Sequence, residues 1–183
     1  MILKKSDKLS IKQTVDFLKS GKVIIIPTDT VYGFSGIVPL TDSKIRHIKG
    51  REETKPFIQL ISAPEDILSL TDSKIPKKLL DLWPGALTLI VKNSTDTGTT
   101  AYRCPGDAWL RTILKECSSP IYSTSVNRSG KQILDSIDSI IAEFSKEVDL
   151  IIDDGNKKNA LPSTIVDVTN STIKILRQGS VKI

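Results

Sequence analysis

Short apolar segments alternate along this sequence with segments of helical periodicity. The segment Lys22–Ile26 is rich in β-branched residues and apolar on both faces, which is typical of an interior strand. Before it, Ser10 and Gln13 form a capping-box pattern, which predicts a helix that ends near Gly21. Because strands and helices alternate over most of the length, the sequence predicts an α/β fold with a mixed sheet.

The other predicted elements continue this alternation. Asp107 is expected to cap the helix Ala108–Cys117, and Thr41 to cap a helix that runs through Ile48. A fourth, short helix is expected to stop before Pro84. The predicted strands are Pro56–Ser62, Ala86–Val91, Thr99–Cys104, Pro120–Ser125 and Val148–Asp154, followed by a hairpin of Ser163–Thr169 and Thr172–Arg177.

Length and composition limit the class of protein. The 183 residues suffice for one sizeable core, so we expect a single domain over residues 1–183. The apolar runs are too short for a membrane span, and the N-terminal segment lacks the pattern of a signal peptide. Two cysteines without a CxxC spacing favour free thiols in the cytoplasm, with a single disulfide as the alternative. The net charge of +5 suits an anionic ligand such as a nucleotide or RNA.

Polar residues crowd into the segment that follows the first interior strand. They are Thr28, Asp29, Thr30 and Tyr32. Open α/β sheets usually hold ligands at the carboxyl ends of strands, and Gly33 and Gly36 would let the backbone approach a bound molecule closely. The segment is therefore either a ligand-binding loop or a polar turn after a core strand.

Cations cluster in the segment "KGREETKPF". Lys49, Arg51 and Lys55 lie between a predicted helix and a predicted strand, and such groups can bind several phosphate oxygens at once. The alternative is a solvated charged loop that Glu52 and Glu53 partly neutralise.

Small hydroxyls and an amide follow another predicted strand in "STSVNRSG". Ser123, Ser125 and Asn127 can form a hydrogen-bonding cradle for an adenine, a ribose or a phosphate, although a plain strand-to-loop junction would look similar. Near the C-terminus, Ser163 and Arg177 each lie at the edge of a predicted strand.

Several common catalytic devices do not occur in this sequence. It contains neither GxxxxGK[ST] nor GxGxxG, and its one histidine, His47, is expected to be solvated in mid-helix. Asp153 and Asp154 could hold Mg²⁺, but an acidic pair at a strand end is more often a turn. Trp83 and Trp109 are expected in the core or in the wall of a cleft.

Five motifs in one order resemble the YrdC/TsaC family of threonylcarbamoyl-AMP synthases, which act in tRNA modification. The motifs are "PTDTVYG", "KGR…KP", "WPGALTLIV", "STSVNRSG" and "PSTIVD…ILRQG", and they extend from Val23 to Gly179. The resemblance implies a twisted mixed sheet flanked by helices around a deep electropositive cleft. It implies L-threonine, bicarbonate or CO₂, and ATP with Mg²⁺ as substrates, and a separate transferase complex that delivers the threonylcarbamoyl group to tRNA.

The resemblance also assigns roles to individual residues. Lys49 and Arg51 would be catalytic. The L-threonine contacts would be Thr28, Thr30, Tyr32, Arg103, Ser123 and Ser163. The ATP contacts would be Arg51, Lys55, Thr99, Ser125, Asn127 and Arg177. No metal ligands are predicted.

Two residues depart from the family pattern, and two other functions compete with this one. Glu52 replaces the proline that usually follows KGR, and Leu60 stands where many relatives carry a histidine that helps to hold threonine. The main alternative is a non-enzymatic RNA-binding module of the same fold. The second is a carbamoyl-adenylate enzyme that uses another acceptor, as in hydrogenase maturation.

Overall fold

A ten-stranded mixed sheet forms the centre of the protein in a computed structural model, which describes residues 1–51 and 56–183. The α-helices are α1 Ser10–Lys19, α2 Asp42–Lys49, α3 Lys77–Leu80, α4 Ala108–Cys117 and α5 Ile137–Phe144, and a 3₁₀ helix spans Pro64–Ser69. The strands are β1 Ile2–Lys4, β2 Ile24–Ile26, β3 Gly33–Ile37, β4 Ile58–Leu60, β5 Leu87–Lys92, β6 Thr99–Arg103, β7 Ile121–Ser125, β8 Leu150–Asp153, β9 Thr164–Asp167 and β10 Lys174–Arg177.

The strand order across the sheet is β1-β8-β2-β3-β7-β4-β6-β5-β9-β10. The pairs β1–β8, β8–β2, β4–β6 and β5–β9 are parallel, and the remaining pairs are antiparallel. The predicted mixed α/β fold and the predicted C-terminal hairpin, β9 with β10, are therefore confirmed. None of the helices in residues 1–51 and 56–183 has the length and apolar character needed to cross a bilayer.

Strand β2 is buried on both faces, as its composition predicts. Ile25 packs in a cluster with Phe34 and Phe144, where α2 and α5 cover one face of the sheet. Ile24 and Ile26 pack in a second cluster on the opposite face, where α1 and α4 cover the sheet. Successive side chains of a strand point to opposite faces, so one short apolar run supplies both layers of the core.

The predicted helix caps have mixed outcomes. Asp107 caps α4, with its Oδ1 atom accepting a hydrogen bond from the Trp109 amide at 3.0 Å. The capping box at Ser10 is wrong, because Ser10 is already helical and its hydroxyl donates to the Lys5 carbonyl at 2.8 Å. The side-chain cap at Thr41 is also wrong, because that hydroxyl donates to the Ile37 carbonyl at 3.0 Å. Each hydroxyl donates to a carbonyl earlier in the chain, whereas a helix cap accepts a hydrogen bond from an amide that follows it.

Among the elements in the described residues, strand β3 is one of four that the sequence does not predict; the others are β1, α5 and the 3₁₀ helix. Its glycines and polar residues suggest a turn, yet Gly33–Ile37 pairs antiparallel with both β2 and β7. A Cβ atom on Gly36 would lie 2.3 Å from the Thr41 Oγ1 atom, so the glycine allows close approach of protein atoms and not of a ligand. The polar residues of the first motif therefore lie in the short connection of residues 27–32 between two buried strands.

Candidate active site

One cavity of about 240 Å³ collects most of the predicted site residues. Those in its wall are Thr28, Thr30, Tyr32, Arg51, Arg103, Ser123, Ser125, Ser163 and Arg177. They come from the connection after β2, the segment after α2, and strands β6, β7, β9 and β10 with their flanking residues. Convergence of these separate segments is the geometry that the family resemblance implies.

A row of paired residues forms the floor of the cavity. Ser123 of β7 pairs with Ile58 of β4, Ile58 pairs with Ala101 of β6, and Ala101 pairs with Ile90 of β5. Directly paired residues point to the same face of a sheet, and all four line the cavity. The floor is therefore largely apolar, while the polar groups stand around it.

Arg103 is held rigidly at one side of the cavity. Its side chain is only 5% exposed, and its Nη2 atom lies 2.5 Å from the Asp29 Oδ1 atom. Its Nη1 atom donates to the Thr30 hydroxyl at 2.8 Å, and its Nε atom donates to the Gly85 carbonyl at 3.0 Å. Burial lowers the pKa of Arg103, and the charge of Asp29 opposes that effect. The guanidinium thus remains a fixed cation beside the first motif.

The hydroxyl of Ser163 lies between two groups from different strands. It shares a hydrogen bond of 2.8 Å with Thr88 of β5, and it accepts one of 3.2 Å from the Arg177 Nη2 atom. Partial desolvation and the charge of Arg103 lower the pKa of Arg177, so the two guanidiniums influence each other electrostatically. Thr88 does not appear among the predicted site residues, because its contact with Ser163 joins two segments that are far apart in the sequence.

Arg51 lies at another part of the cavity wall and has an unused donor. Its guanidinium lies over the Phe57 ring at 4.8 Å, and its Nη2 atom donates to the Pro56 carbonyl at 3.0 Å. Its Nε atom is buried and has no hydrogen-bond partner among the described residues. A buried donor without a partner costs free energy, so an anionic ligand here would remove a penalty as well as add an attraction. Among the described residues that line the cavity, the charged ones are Arg51, Arg103 and Arg177.

Lys49 and Asn127 lie beside the cavity, not in its wall. Lys49 is 3% exposed, and its Nζ atom donates to the Ser125 carbonyl at 2.5 Å and to the Asn127 carbonyl at 2.9 Å. The Asn127 Oδ1 atom accepts from the Ser125 hydroxyl at 2.7 Å. The structure therefore gives both residues contacts that shape the loop around Ser125. Neither residue belongs to the cavity wall.

The Tyr32 hydroxyl is also committed to the protein. It donates to the Gly155 carbonyl at 2.8 Å and accepts from the Asp154 amide at 2.8 Å. Burial is the main cause that raises the pKa of Tyr32 to about 12. Tyr32 contributes to the cavity wall and to the core cluster that contains Phe34, while its hydroxyl holds the segment that leads towards Ser163.

Two predicted site residues, Thr99 and Lys55, and the departure at Leu60 remain to be placed. Thr99 is exposed at the far end of β6 and does not line the cavity. Lys55 lies outside the described residues. Leu60, the departure from the family histidine, is buried in the cluster that also contains Leu110. His47 is exposed, as predicted, and the free thiols Cys104 and Cys117 are both buried.

The ionisation of Lys49 leads to a prediction about stability. Burial first, and the charge of Arg51 second, lower the pKa of Lys49 from 10.5 to about 7. Between these two pH values the unfolded chain binds more protons than the folded protein, so the free energy of unfolding rises with pH. Lys49→Met removes this contribution. Denaturant unfolding at several pH values should show the wild type gaining stability relative to the variant as pH rises from neutral to alkaline, and parallel curves would contradict the assignment.

The protein-family model Sua5_yciO_yrdC, described as "Telomere recombination", matches residues 16–179. A protein from Methanocaldococcus jannaschii is 33% identical over 94% of this chain and 88% of its own length. A threonylcarbamoyl-AMP synthase from Pseudoalteromonas translucida is 29% identical over 92% of this chain and 98% of its own length. The chain spans only about half the length of relatives from Pyrococcus abyssi and Bacillus subtilis, at 55% and 54%.

A solved structure agrees with the overall fold. The crystal structure of P. abyssi Sua5 complexed with L-threonine superposes with a TM-score of 0.87 at 28% sequence identity. The match covers 98% of this chain and 57% of that one.

Proposed function

The chain belongs to the Sua5–YciO–YrdC family, and we propose that it forms threonylcarbamoyl-AMP and pyrophosphate from L-threonine, ATP and either bicarbonate or CO₂. A relative of nearly the same length carries the name of that enzyme, and P. abyssi Sua5 has been crystallised with L-threonine. The observation that carries the proposal is the meeting of Thr30, Arg103, Ser163, Arg177 and Arg51 around one cavity.

We assign the amino acid to the side of the cavity formed by Arg103 and Ser163. A guanidinium has five N–H groups, and the bonds described above use three of those in Arg103, so donors remain for a carboxylate. The hydroxyls of Thr28 and Thr30, which lie 2.9 Å apart, and that of Ser163 offer acceptors and donors for an amine and a hydroxyl group. A small polar amino acid fits these groups better than an apolar one.

The chemistry needs positioning and charge compensation more than a covalent residue. The threonine nitrogen bonds to the carbon of CO₂ and loses a proton, which gives a carbamate. A carbamate oxygen then attacks the α-phosphorus of ATP, and the bond from that phosphorus to the departing pyrophosphate breaks. In this proposal Arg51 compensates phosphate charge, which its position in the cavity wall supports. The apolar floor at Ile58, Ala101 and Ile90 limits the water that would decompose the carbamate.

On the nucleotide side we propose direct contacts from Arg51, Ser125 and Arg177. Lys49 and Asn127 would act through the position of Ser125, because their polar atoms already bind protein groups. Lys55 is assigned to ATP by the family resemblance alone. Thr99 would reach only a part of ATP that extends out of the cavity.

Magnesium enters this proposal as part of the ATP substrate. Within residues 1–51 and 56–183, no group of three or more His, Cys, Asp or Glu side chains is placed to hold a metal ion. We therefore assign no resident metal site to these residues. We propose further that the product passes, in the cytoplasm, to a separate complex that transfers the threonylcarbamoyl group to tRNA.

The test is to incubate the protein with MgATP, bicarbonate and each amino acid in turn, and to measure the release of pyrophosphate. We expect release with L-threonine, weaker release with L-serine, and none when bicarbonate and CO₂ are removed. Mass spectrometry of the product should show threonylcarbamoyl-AMP.

Two other outcomes would favour the competing functions. Pyrophosphate release that is indifferent to threonine would favour a carbamoyl-adenylate enzyme with another acceptor. No release, together with RNA binding that weakens steeply with salt, would favour a non-enzymatic RNA-binding module. Either result would overturn the proposed function.

A further inference from the structure

Arg128 lies in the segment of residues 125–131, here called the Ser125 loop, and links it to α2 and α5. Its Nη1 atom donates to the Ile48 carbonyl at the end of α2, and its Nη2 atom donates to Glu147 just after α5. Its Nε atom lies 3.0 Å from a carboxylate oxygen of Glu143, and its guanidinium lies over the Phe144 ring at 4.6 Å. Arg128 does not line the cavity, and the proposed function gives it no role.

The end of α2 and the Ser125 loop each donate hydrogen bonds to the other. The Ser129 amide donates to the Lys49 carbonyl at 2.7 Å, while the Lys49 ammonium donates to the carbonyls of Ser125 and Asn127. Carbonyls in the last turn of a helix lack helical partners, and a cation there also interacts favourably with the helix dipole. The hydrogen bond from Arg128 to Ile48 thus gives a carbonyl of the last turn a donor, and it brings a cation to the C-terminal end of α2.

Two cavity groups depend on this junction. Helix α2 ends at Gly50, which has a φ of 59°, and Arg51 follows at once. Ser125 is on the other side of the junction, at the end of β7. A shift of the helix end relative to the loop would therefore change the spacing between the Arg51 guanidinium and the Ser125 hydroxyl, which both line the cavity.

The exposure of the ion pairs shows that they add little to global stability. The side chains of Arg128, Glu143 and Glu147 are 37%, 38% and 35% exposed, and ion pairs this accessible are screened by solvent. The four contacts of the Arg128 guanidinium are therefore better explained by a role in fixing the positions of neighbouring segments than by a contribution to global stability.

We propose that Arg128 is a positioning residue that holds the end of α2 against the Ser125 loop, so that Arg51 and Ser125 meet the same phosphate chain. This rests on the proposed function, because ATP is the ligand that needs both groups. Threonine is assigned to groups from other segments, so its binding does not depend on this junction.

The test compares Arg128→Gln with a control on α2, Lys44→Gln, which breaks an ion pair of 3.2 Å to Asp149. For Arg128→Gln we expect kcat/KM for ATP to fall about 10- to 100-fold, as a misplaced group can cost, with KM for threonine unchanged. The melting temperature should fall by only about 2–4 °C. The control should leave all three quantities unchanged.

The partner Glu147, just after α5, provides a second, independent check. If Arg128 acts through Glu147, the double variant Arg128→Gln/Glu147→Gln should be no worse than Arg128→Gln alone. Additive losses would overturn the proposal. So would an Arg128→Gln variant with normal kinetics for ATP, or one in which KM for threonine rises as much as KM for ATP.

Hydrogen exchange of the ligand-free protein separates this inference from the proposed function. In Arg128→Gln we expect faster exchange confined to residues 46–51 and 125–131. Unchanged exchange, or an increase along the whole chain, would contradict the role of Arg128. If the wild type itself released no pyrophosphate, the proposed function would fail, and the exchange result would still test whether Arg128 holds the junction.

Discussion

Replacing Arg103 by methionine is expected to abolish threonine-dependent pyrophosphate release and to destabilise the fold. The guanidinium has 5% exposure and binds Asp29, Thr30 and Gly85, so its loss leaves a carboxylate without its cation and removes the proposed carboxylate site. Breaking such a pair should cost about 3 kcal/mol, at the lower end of the range for buried pairs, because the Asp29 side chain keeps 20% exposure. Pyrophosphate assays and denaturant unfolding measure the two effects.

A double variant separates stability from function in this pair. Asp29→Asn combined with Arg103→Met removes the uncompensated carboxylate, so we expect part of the lost stability to return while activity stays absent. Threonine-selective activity in the double variant would show that Arg103 serves the fold alone. That result would also remove the main reason to seat the amino acid at this side of the cavity.

Replacing Arg51 by alanine is expected to impair the use of ATP while threonine still binds. A charge-assisted hydrogen bond to phosphate contributes about 1.5–3 kcal/mol, which corresponds to roughly 10- to 100-fold in kcat/KM for ATP. The Nε atom, which has no hydrogen-bond partner among the described residues, supports this direction, because a phosphate oxygen that reached it would supply one. Steady-state kinetics with varied ATP measure the effect.

Calorimetry with threonine alone supplies the control for Arg51→Ala. Arg103 and Ser163 belong to other segments, so the affinity for threonine should be the same in the variant and the wild type. Unchanged ATP-dependent pyrophosphate release in Arg51→Ala would show that the role assigned to Arg51 is wrong.

The sequence predicts those elements for which the nearby residues are typical of one structure only. The β-branched run before Pro27 is an interior strand, and Asp107 is a helix cap. It does not predict β3, because glycines such as Gly33 and Gly36 are typical of turns. In the structure Gly36 lies within a strand, where the Thr41 side chain occupies the space that a Cβ atom would need. Whether such a glycine belongs to a turn or to a strand depends on tertiary contacts, which the neighbouring sequence does not show.

In the candidate site, too, the sequence predicts some features, and others depend on tertiary contacts. Ordered motifs point to Thr30, Arg103, Ser163 and Arg177 without showing how they meet, and the strand order brings them to one cavity. The motifs do not reveal that the polar atoms of Lys49 and the Tyr32 hydroxyl bind protein groups. A buried polar atom needs a partner, and which partner it finds depends on segments far away in the chain.

Strand β7 pairs with β3 on one side and β4 on the other, although those two strands precede it by many residues. A nascent chain that has not yet reached Ile121 therefore carries both strands without the one that joins them. The floor of the cavity cannot exist at that stage of synthesis, and the Ser163 and Arg177 positions are made later still. Ligand-binding competence is thus acquired only once the chain has been synthesised as far as Arg177, when most of the hydrophobic interior described above already exists.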